Sequence, residues 1–479
     1  MTRLDVAPAP DVPAPVGLPV RLHPGVRLLR GGRGLLGGSP LRLMTLTEAG
    51  VRVIDGWRET SLVGSRAADR RLARRLLNAG ILVPSPVPAS STGELSVVVP
   101  VRDRPAQLAR CLDAVRVACP QSPVLVVCDG SNAPEPVHEV CRARGARLIR
   151  HDICRGPAAA RNTGLAACRT AYVGFVDSDV VLAPDSARRL LGHLSDPSVA
   201  AVAPRVCGLA RGRGRVAGFE HRHSALDLGP SGGNVGPGRA IAYVPSTVIL
   251  ARRAALGAGF DDTMRIGEDV DLVWRLDRAG WGVRYAPEVE VWHEHRVRLR
   301  SFVADRHRYS RSAGGLARRH PTALPAARLS PEPALIWLLA LAGRPRAALA
   351  VGGWAVARRR RALGGAADPG AGLAAAVTAR ALAGTGLALA HAARRAWSPA
   401  LLLLAGRHRA LRAPLLAAFT IAPLQDALTG GGVGTALVDA PLRLLDDVLA
   451  ATGTWDGCLR ERTLRPLLPT MAPARAGSG

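Results

Sequence analysis

The sequence predicts an α/β protein built on a parallel, doubly wound sheet. Three observations carry that reading. From Leu95 onward, short apolar runs rich in Val alternate with helix-length segments, the pattern of strand–helix–strand units. Several of these runs end in a carboxylate or a glycine, which marks the crevice side of an open α/β sheet. One run, Tyr172 to Val176, reads as a central strand covered on both faces and leads directly into Asp177-Ser178-Asp179.

The totals set the frame. A chain of 479 residues is too long for one ordinary domain, so two or three are expected. With 48% hydrophobic but only 4% aromatic residues, the cores must be packed largely by Ala, Leu and Val. The formal net charge is +27, and since the chain has no lysine, all of the positive charge is arginine. Arginine suits bidentate grip on phosphate or carboxylate, and it suits anionic lipid. A GC-rich genome also produces such a composition, which accounts for the scattered arginines. No nucleic-acid partner is expected, because no basic recognition helix is evident and the strand ends are acidic. The eight cysteines form no CxxC pair, so neither a zinc site nor a disulfide framework is indicated. Small reduced core thiols and a cytoplasmic location fit, and the N-terminus has no compact apolar signal region.

Taken in order, residues 1–17 are Pro- and Ala-rich and are expected to be disordered. Residues 18–84 hold short strand-like runs, a helix opening at Thr45-Leu46-Thr47-Glu48 and a second helix from Ala67 to Ala79. Gly80 caps that helix and Ile81-Leu82-Val83 returns as a strand, which together suggest a small winged-helix-like domain. The Pro/Ser-rich segment 85–94 reads as a linker. The sheet domain spans 95–310. Its strands include Leu95 to Val101, Val124 to Val127, Arg147 to Ile149, Val199 to Pro204 and Tyr243 to Leu250, with separate strands at Val283 to Tyr285 and Val289 to Val291. Gly156 to Gly164 is a glycine entry into a helix, and Gly267-Glu268-Asp269 opens another. Residues 211–238, rich in Gly and Arg, read as a long loop. Residues 330–479 form an α-helical C-terminal region of Ala, Leu, Gly and Arg, with no uninterrupted apolar stretch of about 20 residues. A helical domain resting on an anionic membrane surface and a bundle in solution fit this pattern equally.

Two carboxylates spaced two residues apart on a turn, Asp177 and Asp179, can converge on a hard cation. Asp103 and Asp129 follow two other strands, where a carboxylate can accept hydrogen bonds from a ribose or base. Arg161 in the glycine-entry helix suits a diphosphate. Glu268 and Asp269 complement a helix N-terminus, and either could serve as a general base. His293 and His295 follow the last strand, within reach of the same cation or a phosphate.

The order of these features resembles that of the family 2 glycosyltransferases. The resemblance is carried by Val99-Pro100-Val101-Arg102-Asp103-Arg104-Pro105, Cys128-Asp129-Gly130-Ser131, Gly156 to Gly164, Asp177-Ser178-Asp179 and Gly267-Glu268-Asp269, over roughly residues 95–300. It implies a GT-A fold that binds a nucleotide-diphosphate sugar, with Pro100, Asp103 and Asp129 holding the nucleoside. It further implies that Asp177 and Asp179 bind Mg2+ or Mn2+ and through it the diphosphate, that His293 is a later ligand, and that Asp269 is the base of an inverting transfer with Glu268 beside it. The whole layout, including Thr454-Trp455-Asp456-Gly457-Cys458, is similar to that of the glycosyltransferases of the mycofactocin system. That similarity implies UDP-glucose as donor and a peptide-derived redox cofactor, or its precursor, as acceptor. A family 2 transferase with a lipid or cell-wall acceptor at the cytoplasmic face of the membrane is one alternative, and a basic nucleic-acid- or membrane-binding protein is the alternative of another class.

Overall fold

The computed structural model describes residues 5–29, 31–209, 214–363, 370–428 and 432–471. The chain divides into two units: Met1–Arg27, Leu36–Arg42 and Leu46–Val297 in the first, and Leu28–Leu35, Leu43–Thr45 and Arg298–Gly479 in the second.

The first unit begins with an extended strap. The Ala9 N–H donates to the Ala279 carbonyl at 3.0 Å, Trp281 Nε1 donates to the Ala7 carbonyl at 2.6 Å, and Arg74 Nε donates to Val12. The expectation of disorder therefore does not hold for residues 5–17, while 1–4 lie outside the described residues. Proline removes donors but also limits the unfolded chain, and here the remaining backbone groups find partners on the domain surface.

Four short strands follow, β1 (Val20–Leu22), β2 (Arg27–Leu29), β3 (Gly34–Gly37) and β4 (Arg42–Thr45), then α1 (Glu48–Thr60), α2 (Ala67–Asn78) and β5 (Leu82–Pro84). Thr47 caps α1, its hydroxyl accepting from the Gly50 N–H, and β5 pairs antiparallel with β1. The 85–94 segment is pinned rather than free, with reciprocal bonds between Ala89 and Arg188.

The main sheet is built from β6 (Leu95–Val101), β7 (Val124–Asp129), β8 (Arg147–His151), β9 (Tyr172–Val176), β10 (Val180–Leu182), β11 (Val199–Gly208), β12 (Gly233–Asn234), β13 (Val248–Arg252) and β14 (Gly282–His293). Its order is β10-β14-β11-β13-β9-β6-β7-β8, with β12 added to β14. The half formed by β9, β6, β7 and β8 is parallel. Beyond β9 the sheet is mixed, because β13 runs antiparallel to both β9 and β11. Strand–helix alternation predicts parallel neighbours only where a helix makes each crossover. The stretch 211–238 breaks that rhythm: it holds α7 (Arg215–His223) and β12, and 211–213 lie outside the described residues. The two late strands expected separately are one strand, β14, whose register against β11 jumps from Pro204↔Ala286 to Arg205↔Glu290. Pro287, which cannot donate to a ladder, lies in that bulge.

The connecting helices are α3 (Pro105–Ala118), α4 (Glu135–Ala143), α5 (Pro157–Ala167), α6 (Ser186–His193) and α8 (Glu268–Arg278). Buried Val97, Val99, Leu108, Leu112, Val115, Val126 and Val137 belong to one core between strands and helices. Helix α5 lies close against β6: a Cβ added at Gly164 would sit 2.2 Å from Val98 Cγ1.

The second unit takes in Leu28–Leu35 and Leu43–Thr45, which carry parts of β2, β3 and β4, and is otherwise mainly helical: α9 (Leu299–Arg319), α10 (Pro331–Leu341), α11 (Pro345–Leu363), α12 (Gly370–Arg395), α13 (Ser398–Arg407), α14 (Arg412–Asp426) and α15 (Gly432–Arg460). The division falls after Val297, so α9 leaves the sheet domain. The reason is its packing: α9 runs parallel to the end of α15, and a Cβ at Gly457 would meet the Arg311 carbonyl at 2.2 Å. Arg394 and Arg395 pair with Asp446 and Asp447 in the buried part of this unit. The apolar stretches seen in the sequence fall in separate helices, α10 to α13, and of these Gly372–Arg395 in α12 has the length and composition to cross a membrane.

In the first unit, Asp196 is fully buried and accepts from Arg74 Nη1 at 3.0 Å and Arg284 Nη2 at 2.6 Å. Burial opposes its charge, but the two arginines hold its carboxyl down at about 2. Asp196→Ala strands the buried Arg284 and should cost about 3–5 kcal/mol in chemical denaturation at pH 7. The stabilisation is present above pH 3.8 and is lost as pH falls toward 2, so the gap between wild type and Asp196→Ala should narrow in acid.

Candidate active site

The site begins where two parallel strands part. β9 pairs with β6 only from Leu95↔Tyr172 to Val98↔Phe175, while β6 continues to Val101 along β7. β7 and β8 lie on one side of β6 and β9 on the other, so the gap is the topological switch point of the parallel half. Pro100 lies on the free part of β6. Asp103 and Arg104 follow β6, and Asp177 and Asp179 follow β9.

The Asp177-Ser178-Asp179 turn is held from two sides. The Asp177 N–H donates to the Thr247 carbonyl at 2.9 Å, just before β13, and the Glu294 N–H donates to the Asp179 carbonyl at 3.0 Å, just after β14. The antiparallel register Val180↔His293 places His293 beside Asp179. Its Nε2 lies 3.3 Å from Asp179 Oδ1, and its Nδ1 lies 3.3 Å from His295 Nδ1. The other oxygen of Asp179 accepts from Arg104 Nη1.

Asp177 has a different partner. Arg161, buried on α5, donates Nη2 to Asp177 Oδ1 at 2.7 Å and Nη1 to Glu268 Oε1 at 3.0 Å. Its guanidinium also stacks over Phe260, 5.4 Å from the ring centre. Burial pushes the Asp177 carboxyl above its usual range against the pull of Arg161. Burial would also raise Asp179, yet His293 and Arg104 hold it at about 2. Burial favours neutral His293, and Asp179 more than reverses that.

Glu268 is buried at the start of α8. Burial and the adjacent Asp269 raise its carboxyl to about 7, with Arg161 opposing. Asp269 is half-buried and accepts from the Ser246 N–H at 3.1 Å and the Val270 N–H at 2.8 Å. The Ser246–Thr247 segment thus holds both Asp269 and the backbone of Asp177.

Asp103 sits in the left-handed region at φ 53° and accepts from the Asn132 N–H at 2.7 Å. Asp129 is buried and fully engaged: His151 Nδ1 lies at 2.8 Å, and the Arg155 and Gly156 N–H groups donate at 2.9 and 2.8 Å. Burial would raise its carboxyl, but these donors keep it below the usual range. Asp129 therefore shapes the turn into α5, a role its place in an Asp-Gly turn does not reveal.

Two carboxylates and an imidazole suit a hard divalent cation in kind. Asp179 and His293 are already together. Among the described residues, no three acidic, His or Cys side chains close around one point, and Arg161 holds the Asp177 carboxylate. Arg104, which the sequence reading did not single out, is the other arginine of the cluster. The signal for it was its place beside Asp103 at the start of α3.

The raised Glu268 has a stability consequence. Its favourable contribution is present below pH 4.5 and is lost as pH rises through about 7. Glu268→Gln should therefore raise the thermal midpoint relative to wild type at pH 8 and change it little at pH 4.5.

Comparison with known proteins gives the cluster its context. Residues 96–256 match the glycosyl transferase family 2 model. The chain is 38% identical over 471 residues to a pre-mycofactocin glycosyltransferase of Mycobacterium tuberculosis, covering 95% of this chain and 98% of the relative. It is 25% identical over 179 residues to the poly-beta-1,6-N-acetyl-D-glucosamine synthase of Staphylococcus epidermidis, covering 36% and 43% of the two chains. Among solved structures, a mannosyltransferase of Pyrobaculum calidifontis in complex with GDP-Man and Mn2+ aligns with a TM-score of 0.38 at 19% identity, over 75% of this chain and 89% of that one. The mixed α/β sheet agrees with the GT-A fold of family 2. With near full-length similarity joined to a family 2 domain that contains the Asp177–Asp179 turn, the chain belongs to the pre-mycofactocin glycosyltransferase family of glycosyltransferases.

Proposed function

We propose that the enzyme transfers glucose from UDP-glucose to a peptide-derived redox cofactor or its precursor, with inversion at the anomeric carbon. The observation that carries the reading is the gathering of Asp177, Asp179, His293, Glu268 and Asp269 at one end of the sheet, at the switch point. The name of the Mycobacterium tuberculosis relative supports the acceptor class.

In this reading Pro100, Asp103 and the turn that Asp129 supports receive the nucleoside. Asp177, Asp179 and His293 would hold Mg2+ or Mn2+, which when bound supplies positive charge to the departing nucleotide diphosphate. Arg161, expected at the diphosphate, acts from behind Asp177, because both of its Nη atoms are spent on carboxylates. Asp269 is the better base of the acidic pair: it is half-buried, whereas Glu268 is buried against Arg161. Asp269 takes the proton of the acceptor hydroxyl as that oxygen attacks the anomeric carbon. The bond from that carbon to the diphosphate breaks on the opposite face.

A membrane contact through the second unit is supported by α12, of whose 18-residue apolar window only 17% is buried. Exposed Leu338, Leu349, Leu402 and Leu403 on other helices of this unit add apolar surface. If this contact forms, the purified protein should float with vesicles containing anionic lipid. Recovery entirely in the vesicle-free fraction would remove the lipid-acceptor alternative along with it.

Asp177→Asn and Asp179→Asn should each lower Mn2+-dependent transfer by about 10²-fold or more without changing the circular dichroism spectrum. Full activity in the double variant would sink the metal assignment. Asp269→Asn should leave UDP-glucose binding nearly unchanged while transfer drops about 10²–10⁴-fold. A panel of nucleotide sugars, scored by slow hydrolysis and then by transfer to the peptide-derived acceptor, tests the donor and acceptor.

A further inference from the structure

Asp179 has no uncommitted oxygen. Oδ1 faces His293 Nε2 at 3.3 Å, and Oδ2 accepts from Arg104 Nη1. The two arginines of the acidic cluster are not equivalent. Arg161 has a side chain only 5% exposed and spans Asp177 and Glu268. Arg104 has a side chain 30% exposed and, among the described residues, pairs with the carboxylate of Asp179. It also stands at a hinge-like place, as the residue before α3 and directly after Asp103 with its left-handed backbone.

A cation that takes Asp179 as a ligand meets a guanidinium on the same carboxylate. Two positive centres on one carboxylate repel each other, and the divalent one wins the oxygen because its charge is larger and more concentrated. Arg104, with its side chain 30% exposed and placed just before α3, has room to give way even though Asp179 is only 11% exposed. Arg104 would still lie on the β6 side of the gap, where the cation brings the diphosphate. Guanidinium pairs readily with phosphate oxygens.

We propose that Arg104 changes partner during the catalytic cycle: it neutralises Asp179 in the donor-free enzyme and moves to the diphosphate of the nucleotide sugar when the cation occupies Asp179. The proposal rests on the metal reading of Asp179 given above. Arg104 acts as a built-in competitor for the cation and as a ligand of the donor. Binding of cation alone is thereby held weak, and binding of cation with donor is favoured. No bond or proton is exchanged in the switch.

The two roles pull in opposite directions, which makes them separable. In the full-length protein, Mn2+ alone is titrated by electron paramagnetic resonance, and UDP is then titrated at saturating Mn2+. Arg104→Gln should bind Mn2+ alone about two- to fivefold more tightly, the size of a partly exposed ion pair. It should bind UDP about tenfold or more weakly, the size of a lost charge-assisted hydrogen bond. Arg104→Lys should move both affinities in the same directions by less, and it replaces the glutamine variant if that one does not fold. Weaker binding of both ligands, or no change in either, would overturn the switch. Asp179→Asn separates the two levels of the argument. If it binds Mn2+ as well as wild type does, the metal reading falls and takes the switch with it. If it loses Mn2+ while Arg104→Gln leaves both affinities unaltered, only the switch falls.

Discussion

The site depends on one buried cation. Arg161 lies between Asp177 and Glu268 and crosses from α5 to the end of β9 and the start of α8. Without it, Asp177, Glu268 and Asp269 would be like charges close together in a region largely removed from water, where Coulomb repulsion is weakly screened. With it, three elements that are far apart in sequence share one ion network. The stacking of its guanidinium on Phe260, itself edge-on to Phe175, ties the network to the core beneath. The acidic cluster can therefore be dense without unfolding the sheet end that carries it. The remaining strain is visible in Glu268, whose carboxyl is raised to about 7 by burial and by Asp269.

The second constraint is register. His293 meets Asp179 because β10 and β14 pair with Val180 opposite His293. A shift of one residue would turn the imidazole to the other face of the sheet. The turn between β9 and β10 is likewise clamped by Thr247 and Glu294, whose backbone groups belong to the antiparallel part of the sheet. The parallel half thus provides the gap at the switch point, and the antiparallel half provides the walls that orient the carboxylates within it. Neither half makes the site alone.

The helical unit follows a different rule. Its α9–α15 pair is set by glycines that let backbones approach, and Arg394 and Arg395 pair with Asp446 and Asp447 in its buried part. Large exposed leucines elsewhere on the same helices show that burial within this unit does not use all of its apolar surface.

The sequence by itself determined the strand ends. An apolar run stopped by Asp177 and Asp179, a glycine entry at Gly156 and an acidic helix start at Glu268-Asp269 are local patterns, governed by burial periodicity and backbone preference over a few residues. These patterns also located the α/β domain and the order of its motifs. Tertiary structure decided which side chains meet. The direction of β13, the docking of residues 5–17, the engagement of Asp129 by His151 and the pairing of Arg104 with Asp179 all join residues remote in the chain or leave no periodic trace. Arginine is so frequent in this chain that position in the sequence does not say which carboxylate Arg104 or Arg161 meets. Only the fold brings those two guanidinium groups to the carboxylates that need them, because ion pairing depends on distance and burial rather than on position in the sequence.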